Sequence, residues 1–320
     1  MAEEKQKESE NCEFEFHKPV ERSGWESFTR AIYNSDEGQF FGRTPKNWAQ
    51  LIIFYIIFYI CLAGLFAGCL TVFYLTIDEK VPKLQQTDGL IGDNPGMGLR
   101  PNSDLEIEGN FIYFNGKNET QANKWIKRLN NFMRPYIAPV PGNNSIHCSF
   151  YRRPIGNEIC KVDINLFEDC APKDLYGYRT ASPCVYLKLN KIYGWEPETH
   201  LLPTDDMPSD LKQRITSLPQ LNRTQVWVSC NGLTSQDRQF IQGFEYYPSG
   251  FPSYFFPFTN SDNYLSPLVA VKIIYPKANV LIGIECRAWA KNIRYRGGTL
   301  DRMGSIQFYI QRDYFMVPLQ

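Results

Sequence analysis

The longest run of hydrophobic positions in the chain extends from Leu51 to Ile77 and reads LIIFYIIFYICLAGLFAGCLTVFYLTI. As an α-helix this run is about 40 Å long, more than the ~30 Å hydrocarbon core of a bilayer. We therefore predict one transmembrane helix over residues 51–77. A buried helix of a soluble protein is rarely so long or so uniformly apolar, and the polar residues before the run disfavour a signal peptide.

The spacing of side chains gives this predicted helix two different faces. At 100° per residue, one stripe consists of Tyr55, Phe58, Tyr59, Leu62, Phe66, Cys69 and Phe73. Small residues lie opposite, at Gly64, Ala67, Gly68 and Thr71. A Gly-x-x-x-Gly pair lets another backbone approach closely, and a phenol hydroxyl within a membrane requires a partner. The pattern favours a helix that packs against other helices over an anchor whose aromatic side chains face lipid.

After the hydrophobic run the period of apolar positions changes to two, as in half-buried strands. Apolar residues alternate in four segments, at Val185, Leu187 and Leu189, at Val226, Val228 and Cys230, from Val280 to Ala288, and at Ile306, Phe308 and Ile310. Helices are predicted only at residues 119–134, where Pro135 should end the helix, and at Pro208–Leu218. With 22 glycines and 21 prolines in the chain, this pattern predicts an antiparallel β-sandwich with one or two helices.

These patterns predict four regions of the chain. Residues 1–50 are expected to form a cytoplasmic tail and residues 51–77 the transmembrane helix. Residues 78–102, which contain DGLIGDNPGMGLRPN, predict an extended stalk because glycine, proline and asparagine disfavour regular structure. Residues 103–320 form the β-sandwich domain.

Cysteines and glycosylation acceptors predict the orientation of the chain, because the positive charges that flank the run barely differ. Three Asn-x-Ser/Thr triplets, at Asn118, Asn143 and Asn222, all follow the run. Six of the nine cysteines do so as well: Cys148, Cys160, Cys170, Cys184, Cys230 and Cys286. An even number suits disulfides in an oxidising compartment. We predict a type II, single-pass membrane protein; six cysteines allow 15 pairings, of which sequential pairing is the simplest.

The sequence gives little support for a catalytic or a nucleic-acid-binding function. The 34 basic and 34 acidic residues form no concentrated basic stripe, so no nucleic-acid partner is expected. The motifs of zinc hydrolases, elbow serines and phosphate-binding loops do not occur, and neither does the Asp-x-Asp of many type II glycosyltransferases. His147 adjoins Cys148 but is interpreted as a surface histidine. We expect no catalytic residue, no cofactor and no metal.

One segment of the outer domain has the composition of a contact surface. Residues Tyr246–Phe258, YYPSGFPSYFFPF, are mainly aromatic residues and prolines. The prolines exclude an ordinary central strand. Two alternatives stay open at this point: packing inside the domain, or a rigid aromatic docking surface for a partner.

These residues together resemble the β subunits of sodium/potassium-transporting and proton/potassium-transporting P-type ATPases, from about Trp25 to the C-terminus. The resemblance is carried by Phe41-Gly42-Arg43-Thr44, Phe54-Tyr55, Phe58-Tyr59, Leu62-Ala63-Gly64, Gly98-Leu99-Arg100-Pro101, Pro183-Cys184, Leu187-Lys188-Leu189-Asn190, Tyr246-Tyr247-Pro248 and Pro267-Leu268-Val269-Ala270-Val271. Ser249-Gly250-Phe251 departs from the Tyr-Tyr-Gly typical of the family, and the Cys148–Cys160 interval is short.

The resemblance implies a non-catalytic subunit of the plasma membrane that binds the catalytic alpha subunit, assists its folding and delivery, and influences potassium handling. It implies an immunoglobulin-like sandwich with the disulfides Cys148–Cys160, Cys170–Cys184 and Cys230–Cys286. Further expected neighbours are membrane lipid and a small regulatory single-span subunit. The alpha-subunit contacts expected from the resemblance and the helix faces are Tyr55, Phe58, Tyr59, Phe66, Gly64, Gly68, Tyr246 and Tyr247.

The predicted function is a sodium/potassium pump subunit. The alternatives are a proton/potassium pump subunit and a type II adhesion glycoprotein that acts through its outer domain.

Overall fold

The computed structural model of the chain describes residues 24–35, 37–102, 110–115, 119–139, 144–298 and 302–313. The chain divides into two compact units, one that ends at Ile77 and one that begins at Asp78. The α-helices are Gly24–Ile32 (α1), Pro45–Leu75 (α2), Glu119–Ile137 (α3), Ser209–Ser217 (α4) and Ser235–Gln239 (α5). The strands are Tyr33–Asn34 (β1), Gln39–Phe40 (β2), Met97–Arg100 (β3), Phe111–Asn115 (β4), Ser145–Ile146 (β5), Ile159–Cys160 (β6), Cys184–Leu189 (β7), Gln225–Gly232 (β8), Gly243–Tyr247 (β9), Gly250–Pro252 (β10), Val269–Ile274 (β11), Leu281–Trp289 (β12) and Ser305–Asp313 (β13).

The second unit is built on two main sheets that share one hydrophobic core. The larger sheet has the strand order β10-β8-β12-β13-β4, and the smaller has the order β3-β7-β11-β9. Buried side chains of both sheets belong to one cluster, with Val185 and Val271 from the smaller sheet and Ile284 and Phe308 from the larger one. A mainly-β domain that follows a single apolar helix was the predicted fold class, and it is confirmed.

One strand pair departs from the antiparallel prediction. β4 runs parallel to β13, with Ile112 opposite Ile310, whereas the other pairs of the two main sheets are antiparallel. A parallel pair needs a long connection, and nearly the whole domain separates these two strands in sequence. Local periodicity carries no information about such a pairing.

The alternating pattern predicted for β7 and β8 is wrong, because both strands are buried on both faces. Tyr186 of β7 is fully buried and packs on Phe132 of α3. On β8, Trp227 joins a second buried cluster with Leu211 and Ile215 of α4. The helices thus cover faces of the sheets that a sandwich alone would leave open to water. The C-terminal strands β12 and β13 lie where the alternation predicted them.

The two predicted helices of this unit are present, but the end of α3 is not at Pro135. The helix continues to Ile137 with Pro135 inside it. Proline in the last turn removes only one backbone hydrogen bond, and Ala138 N still donates to Arg134 O at 3.0 Å. The buried Tyr136, whose hydroxyl donates to Ser266 O at 3.1 Å, holds the last turn against the domain. Helix α4 is Ser209–Ser217, within the predicted residues 208–218.

The segment predicted as a stalk belongs to the second unit, and part of it is a strand of the sandwich. Strand β3 lies inside residues 78–102 and pairs with β7, and its Leu99 is only 2% exposed. Asn94 exchanges two hydrogen bonds with the backbone of Arg294, at 3.0 and 2.8 Å. Strand β7 and Arg294 are distant in sequence from this segment. Its composition therefore predicted an extended chain but not the contacts that the chain makes. The sandwich begins before residue 103.

The six outer cysteines form the disulfides Cys148–Cys160, Cys170–Cys184 and Cys230–Cys286, the sequential pairing. Cys230 and Cys286 face each other on the neighbouring strands β8 and β12, with a Cα–Cα distance of 4.0 Å. This bridge is buried and links two strands of one sheet. Cys61 and Cys69 are free and exposed on α2.

Candidate interaction surfaces

Helix α2 is long and apolar enough to cross a membrane, and it begins earlier than predicted. It starts at Pro45 rather than Leu51 and ends at Leu75 rather than Ile77. Thr44 is the N-cap, and its hydroxyl accepts from Asn47 N at 3.4 Å. Proline suits the first helical position because its missing N–H has no intrahelical partner there. The start of the helix is therefore fixed by capping residues and not by hydrophobicity.

A tryptophan fixes the first turns of α2 to the segment before it. Trp48 Nε1 donates to Phe40 O at 2.7 Å, and Phe40 belongs to the short antiparallel pair of β1 and β2. We interpret Trp48 as an interfacial residue of the span, since indole rings favour the boundary between lipid and water.

Four aromatic rings form a compact stack on the first half of α2. Phe54 stacks on Phe58 and Tyr55 stacks on Tyr59, with ring centroids 6.2 and 6.0 Å apart. Edge-to-face contacts join Phe54 to Tyr55 and Phe58 to Tyr59, each at 5.5 Å. The i, i+4 spacing puts these rings one turn apart on the same side of the helix. The stack, Phe54, Tyr55, Phe58 and Tyr59, is hereafter called the aromatic stack.

The aromatic stack has no partner among the residues that the structure describes. The side chains of Tyr55 and Phe58 are 46% and 47% exposed, and Phe66, one of the predicted contacts, is 68% exposed. Within the described part of the chain, the hydroxyls of Tyr55 and Tyr59 make no hydrogen bond. Because a hydroxyl in hydrocarbon is unfavourable without a partner, this surface has the chemistry of a helix–helix interface.

The opposite side of α2 is open enough for another helix. A Cβ placed on Gly64 or Gly68 would meet nothing within 4 Å among the described residues. Thr71, on the same side, satisfies its own hydroxyl by donating to Ala67 O at 2.8 Å. The two glycines therefore leave a shallow strip in which a second backbone can approach closely.

In the second unit the aromatic segment Tyr246–Phe258 connects the edges of the two main sheets. Strand β9 is the edge of the smaller sheet, and β10 is the edge of the larger one. Prolines are tolerated at such positions because an edge strand has unpaired N–H groups on one side. Residues Tyr246–Pro252, which comprise the end of β9, the turn after it and β10, are hereafter called the sheet corner.

Tyr246 of the sheet corner is largely buried. It is 9% exposed, its hydroxyl accepts from Cys230 N at 2.7 Å, and the guanidinium of Arg214 lies 3.9 Å from its ring centroid. Burial raises the pKa of the Tyr246 phenol. Strand alternation turns its side chain inward, and its contact with a partner stays a prediction. Arg214, which sequence reasoning missed, also donates to Val228 O at 2.7 Å.

Tyr247 faces the other way and is half-exposed. Its hydroxyl donates to Glu245 Oε2 at 2.9 Å, and Lys272 Nζ lies 3.1 Å from the same carboxylate and 2.6 Å from Asp169. Burial, followed by the Glu245 carboxylate, raises the pKa of Tyr247 to about 12. The hydrogen bond from Lys272 lowers the pKa of Asp169 and, in return, raises that of Lys272. Tyr247 is thus the outward residue of the predicted Tyr246–Tyr247 pair.

Of the three predicted glycosylation acceptors, Asn222 lies in the described part of the chain. It is half-buried within the 3-10 turn Gln220–Arg223. Asn118 and Asn143 lie outside the described residues. His147 is exposed, and no cluster of His, Cys, Asp or Glu suited to a metal ion occurs in the described residues.

With this geometry in place, comparison with known proteins identifies the family. The family model described as "Sodium / potassium ATPase beta chain" matches residues 18–308. The chain belongs to this family.

Curated relatives cover nearly its full length. Subunit beta-1 of the sodium/potassium-transporting ATPase of Drosophila melanogaster is 45% identical over 302 residues, 94% of this chain and 96% of the relative. Subunit beta-2 of the same organism is 37% identical over 93% of this chain and 95% of the relative. A probable beta-3 subunit of Caenorhabditis briggsae is 31% identical over 88% and 86%. The resemblance found in the sequence is confirmed.

The residues matched by the family model include both surfaces described above, the aromatic stack on α2 and the sheet corner. Both surfaces present aromatic side chains, but they differ in accessibility: the stack is exposed throughout, whereas the corner turns one tyrosine of its pair inward. The first surface is therefore the stronger candidate for a subunit contact.

Proposed function

We propose that this chain is the non-catalytic beta subunit of a sodium/potassium-transporting P-type ATPase and assists the folding, membrane delivery and potassium handling of the catalytic alpha subunit. The observation that carries the proposal is family membership over nearly the whole chain, combined with a membrane-length helix that buries none of its side chains within the described residues. An accessory subunit needs such a surface because its partner supplies the missing contacts.

The proposed contact with the alpha subunit uses both faces of α2. Tyr55, Phe58, Tyr59 and Phe66 would fill the groove of a neighbouring helix, with the two hydroxyls donating to its backbone or polar side chains. Gly64 and Gly68 would admit a second helix or a tightly packed lipid on the opposite side. The resemblance also predicts outer contacts at Tyr246 and Tyr247, where a glycan on Asn222 is the competing occupant.

We further propose that the chain lies in the plasma membrane with its N-terminus in the cytoplasm and the β-sandwich outside. Three disulfides, of which Cys170–Cys184 and Cys230–Cys286 are buried, support an oxidising compartment for the second unit. The acceptor motifs on the same side of α2 support this orientation. The relatives reported above are beta subunits of sodium/potassium-transporting ATPases, which favours a sodium/potassium pump over a proton/potassium pump and over an independent adhesion protein.

Purification of the full-length chain from animal-cell membranes in mild detergent tests this function. The matched control is a variant in which residues 52–74 are all leucine, which still spans the membrane but lacks both faces. We expect the native chain to recover a sodium/potassium-transporting catalytic subunit in about equal amount, and the control to lose it. Recovery of a proton/potassium-transporting subunit, or equal recovery by the control, would contradict the proposal.

A further inference from the structure

A groove of about 390 Å³ lies beside the sheet corner. Aromatic and proline side chains form much of its lining, among them Phe150, Tyr247, Pro248 and Tyr254, and Glu168 contributes a carboxylate. Its volume falls within the roughly 300–1,000 Å³ that is usual for small-molecule sites. Phe150 and Tyr254 contact each other edge to face at 5.3 Å. The groove therefore offers apolar ring faces together with a hydrogen-bonding group.

Asn222, the acceptor residue of the triplet Asn-Arg-Thr, lines the same groove. Its backbone is fixed on both sides, since Asn222 N donates to Pro219 O at 3.0 Å and Asn222 O accepts from Gln225 Nε2 at 3.2 Å. The next residue, Arg223, donates to three carbonyls, those of Leu218, Leu201 and Thr216. The turn is thus rigid. Among the described residues, the side-chain amide of Asn222 has no hydrogen-bond partner.

We propose that an N-linked glycan on Asn222 occupies this groove, with its first N-acetylglucosamine units packed on Tyr247 and Tyr254. The inference rests on the proposed extracellular side of the domain. What selects the occupant is the attachment point: a sugar joined to Asn222 Nδ2 starts at the wall of the groove and reaches it without loss of translational freedom. The apolar faces of sugar rings pack on aromatic rings, and their hydroxyl and acetamide groups hydrogen-bond to carboxylates and amides such as those of Glu168 and Gln225.

The modification is a group transfer from a lipid-linked oligosaccharide diphosphate, made on the chain before it folds. Asn222 Nδ2 forms the bond to the anomeric carbon and gives up one proton, and the lipid diphosphate leaves with the electron pair of the broken bond. Folding then brings the attached sugar to the groove. In the folded chain the Thr224 hydroxyl of the same triplet donates to Leu221 O at 2.8 Å.

This proposal assigns Tyr247 to the glycan and not to the alpha subunit. The sheet corner then becomes a carbohydrate-covered surface, which keeps its exposed aromatic residues from associating with other proteins. The alternative occupant is an outer loop of the catalytic subunit, and the two occupants cannot share the groove.

The test uses the full-length chain co-expressed with its catalytic subunit in animal cells. Mass mapping of the peptide that contains Asn222 measures its occupancy, and peptide N-glycosidase then releases glycans from the native and the denatured protein. We expect release from Asn222 to be at least about tenfold slower in the native protein, which corresponds to about 1.4 kcal/mol. Tyr254→Ser should remove most of this protection. Tyr151→Ser, a change of the same kind at an 88% exposed residue outside the groove, should leave it intact.

A second measurement needs no variant. Removing the glycan from the wild-type protein should speed amide hydrogen exchange of residues 247–255 and leave β12 and β13 unchanged. Asn222 without glycan, while Asn118 or Asn143 carries one, would overturn this inference and leave the proposed orientation standing. Absence of glycan at all three would overturn both. Equal release from native and denatured protein, or unchanged exchange at the corner, would overturn the packing in the groove.

Discussion

Helix α2 and strand β8 are both strongly hydrophobic, yet they have opposite environments. Every residue of β8 except Asn231 is buried, under α4 on one side and the main core on the other. No residue of α2 is buried within the described part of the chain. The apolar side chains of β8 have their partners inside the chain, so their shapes are explained by the fold. The distinct faces of α2 have no such explanation, and they indicate contacts with another molecule.

The comparison predicts that substitutions in the two regions affect different measurements. Changes in the sandwich should lower the free energy of unfolding of the second unit. Changes on α2 should leave that free energy alone and weaken association with the alpha subunit. Each substitution below tests one side of this distinction.

The largest loss of stability is expected from Phe308→Ala in strand β13. Phe308 is fully buried, so truncation removes apolar contacts and leaves a cavity, at a cost of about 3–5 kcal/mol. The matched control is Tyr309→Ala on the same strand, where the side chain is 44% exposed. Urea unfolding of the purified chain, followed by tryptophan fluorescence, measures both. Similar losses for the two variants would contradict the assignment of the core.

Replacing both cysteines of the Cys230–Cys286 bridge with alanine should cost about 4 kcal/mol by the chain-entropy model for a loop closed over 56 residues. The control is the double substitution of Cys61 and Cys69, which are free on α2 and should leave unfolding of the second unit unchanged. Non-reducing peptide mapping verifies the remaining bridges. A bridge variant as stable as the parent would refute the role of this disulfide.

On α2, Gly64→Leu with Gly68→Leu should weaken association without changing the stability of the sandwich. Filling a close helix–helix contact costs about 1–3 kcal/mol, or up to roughly a hundredfold in the apparent dissociation constant. Leu70→Ile, which keeps side-chain volume, is the control. Association is measured by co-purification over a detergent series. If the glycine variant retains its partner as well as the control does, this face contacts lipid alone.

A smaller effect is expected from Lys272→Met on strand β11, about 1 kcal/mol or less, because the side chains of its two partners, Asp169 and Glu245, are 66% and 43% exposed. The hydrogen bond from Lys272 holds the pKa of Asp169 below its ordinary value. The contribution is therefore present above about pH 4 and is lost as the pH falls through the lowered pKa. Lys173→Met, at a 77% exposed side chain, is the control. The stability difference between Lys272→Met and the parent should shrink in acid; a difference that grows there would contradict this account.

Sequence patterns predicted the elements that depend on neighbouring residues. The apolar run gave α2, and alternation gave β12 and β13, because each is a local property of the chain. Thr44 and Pro45 are a capping signal that the sequence contains. The predicted start of the helix was nevertheless Leu51, because it was taken from the first residue of the hydrophobic run.

Features that depend on distant residues were missed or mistaken. The parallel pair of β4 and β13, the edge strand β3 and the docking of Asn94 on Arg294 join segments far apart in sequence. The double burial of β7 and β8 depends on helices that cover the sheets. For the same reason sequence reasoning missed the burial of Tyr246, since only the fold shows that Arg214 covers its ring.

The candidate surface on α2 was accessible to sequence reasoning because a straight helix has a fixed angular repeat. The groove at Asn222 was not, because its walls come from the turn around Asn222, the sheet corner and the loop with Phe150. The acceptor triplet was visible in the sequence, and its aromatic surroundings were not.

The most direct test of the central claim is the double substitution Tyr55→Leu with Tyr59→Leu in the full-length chain. Both changes keep the helix apolar and remove only the two hydroxyls and the ring stack. We expect about 1–2 kcal/mol of lost association, roughly tenfold less alpha subunit recovered at limiting concentration, with unfolding of the sandwich unchanged. Tyr74→Leu, the same change at the end of the helix, should retain full recovery. Equal recovery by the double variant and by Tyr74→Leu would contradict the claim that the aromatic stack binds the catalytic subunit.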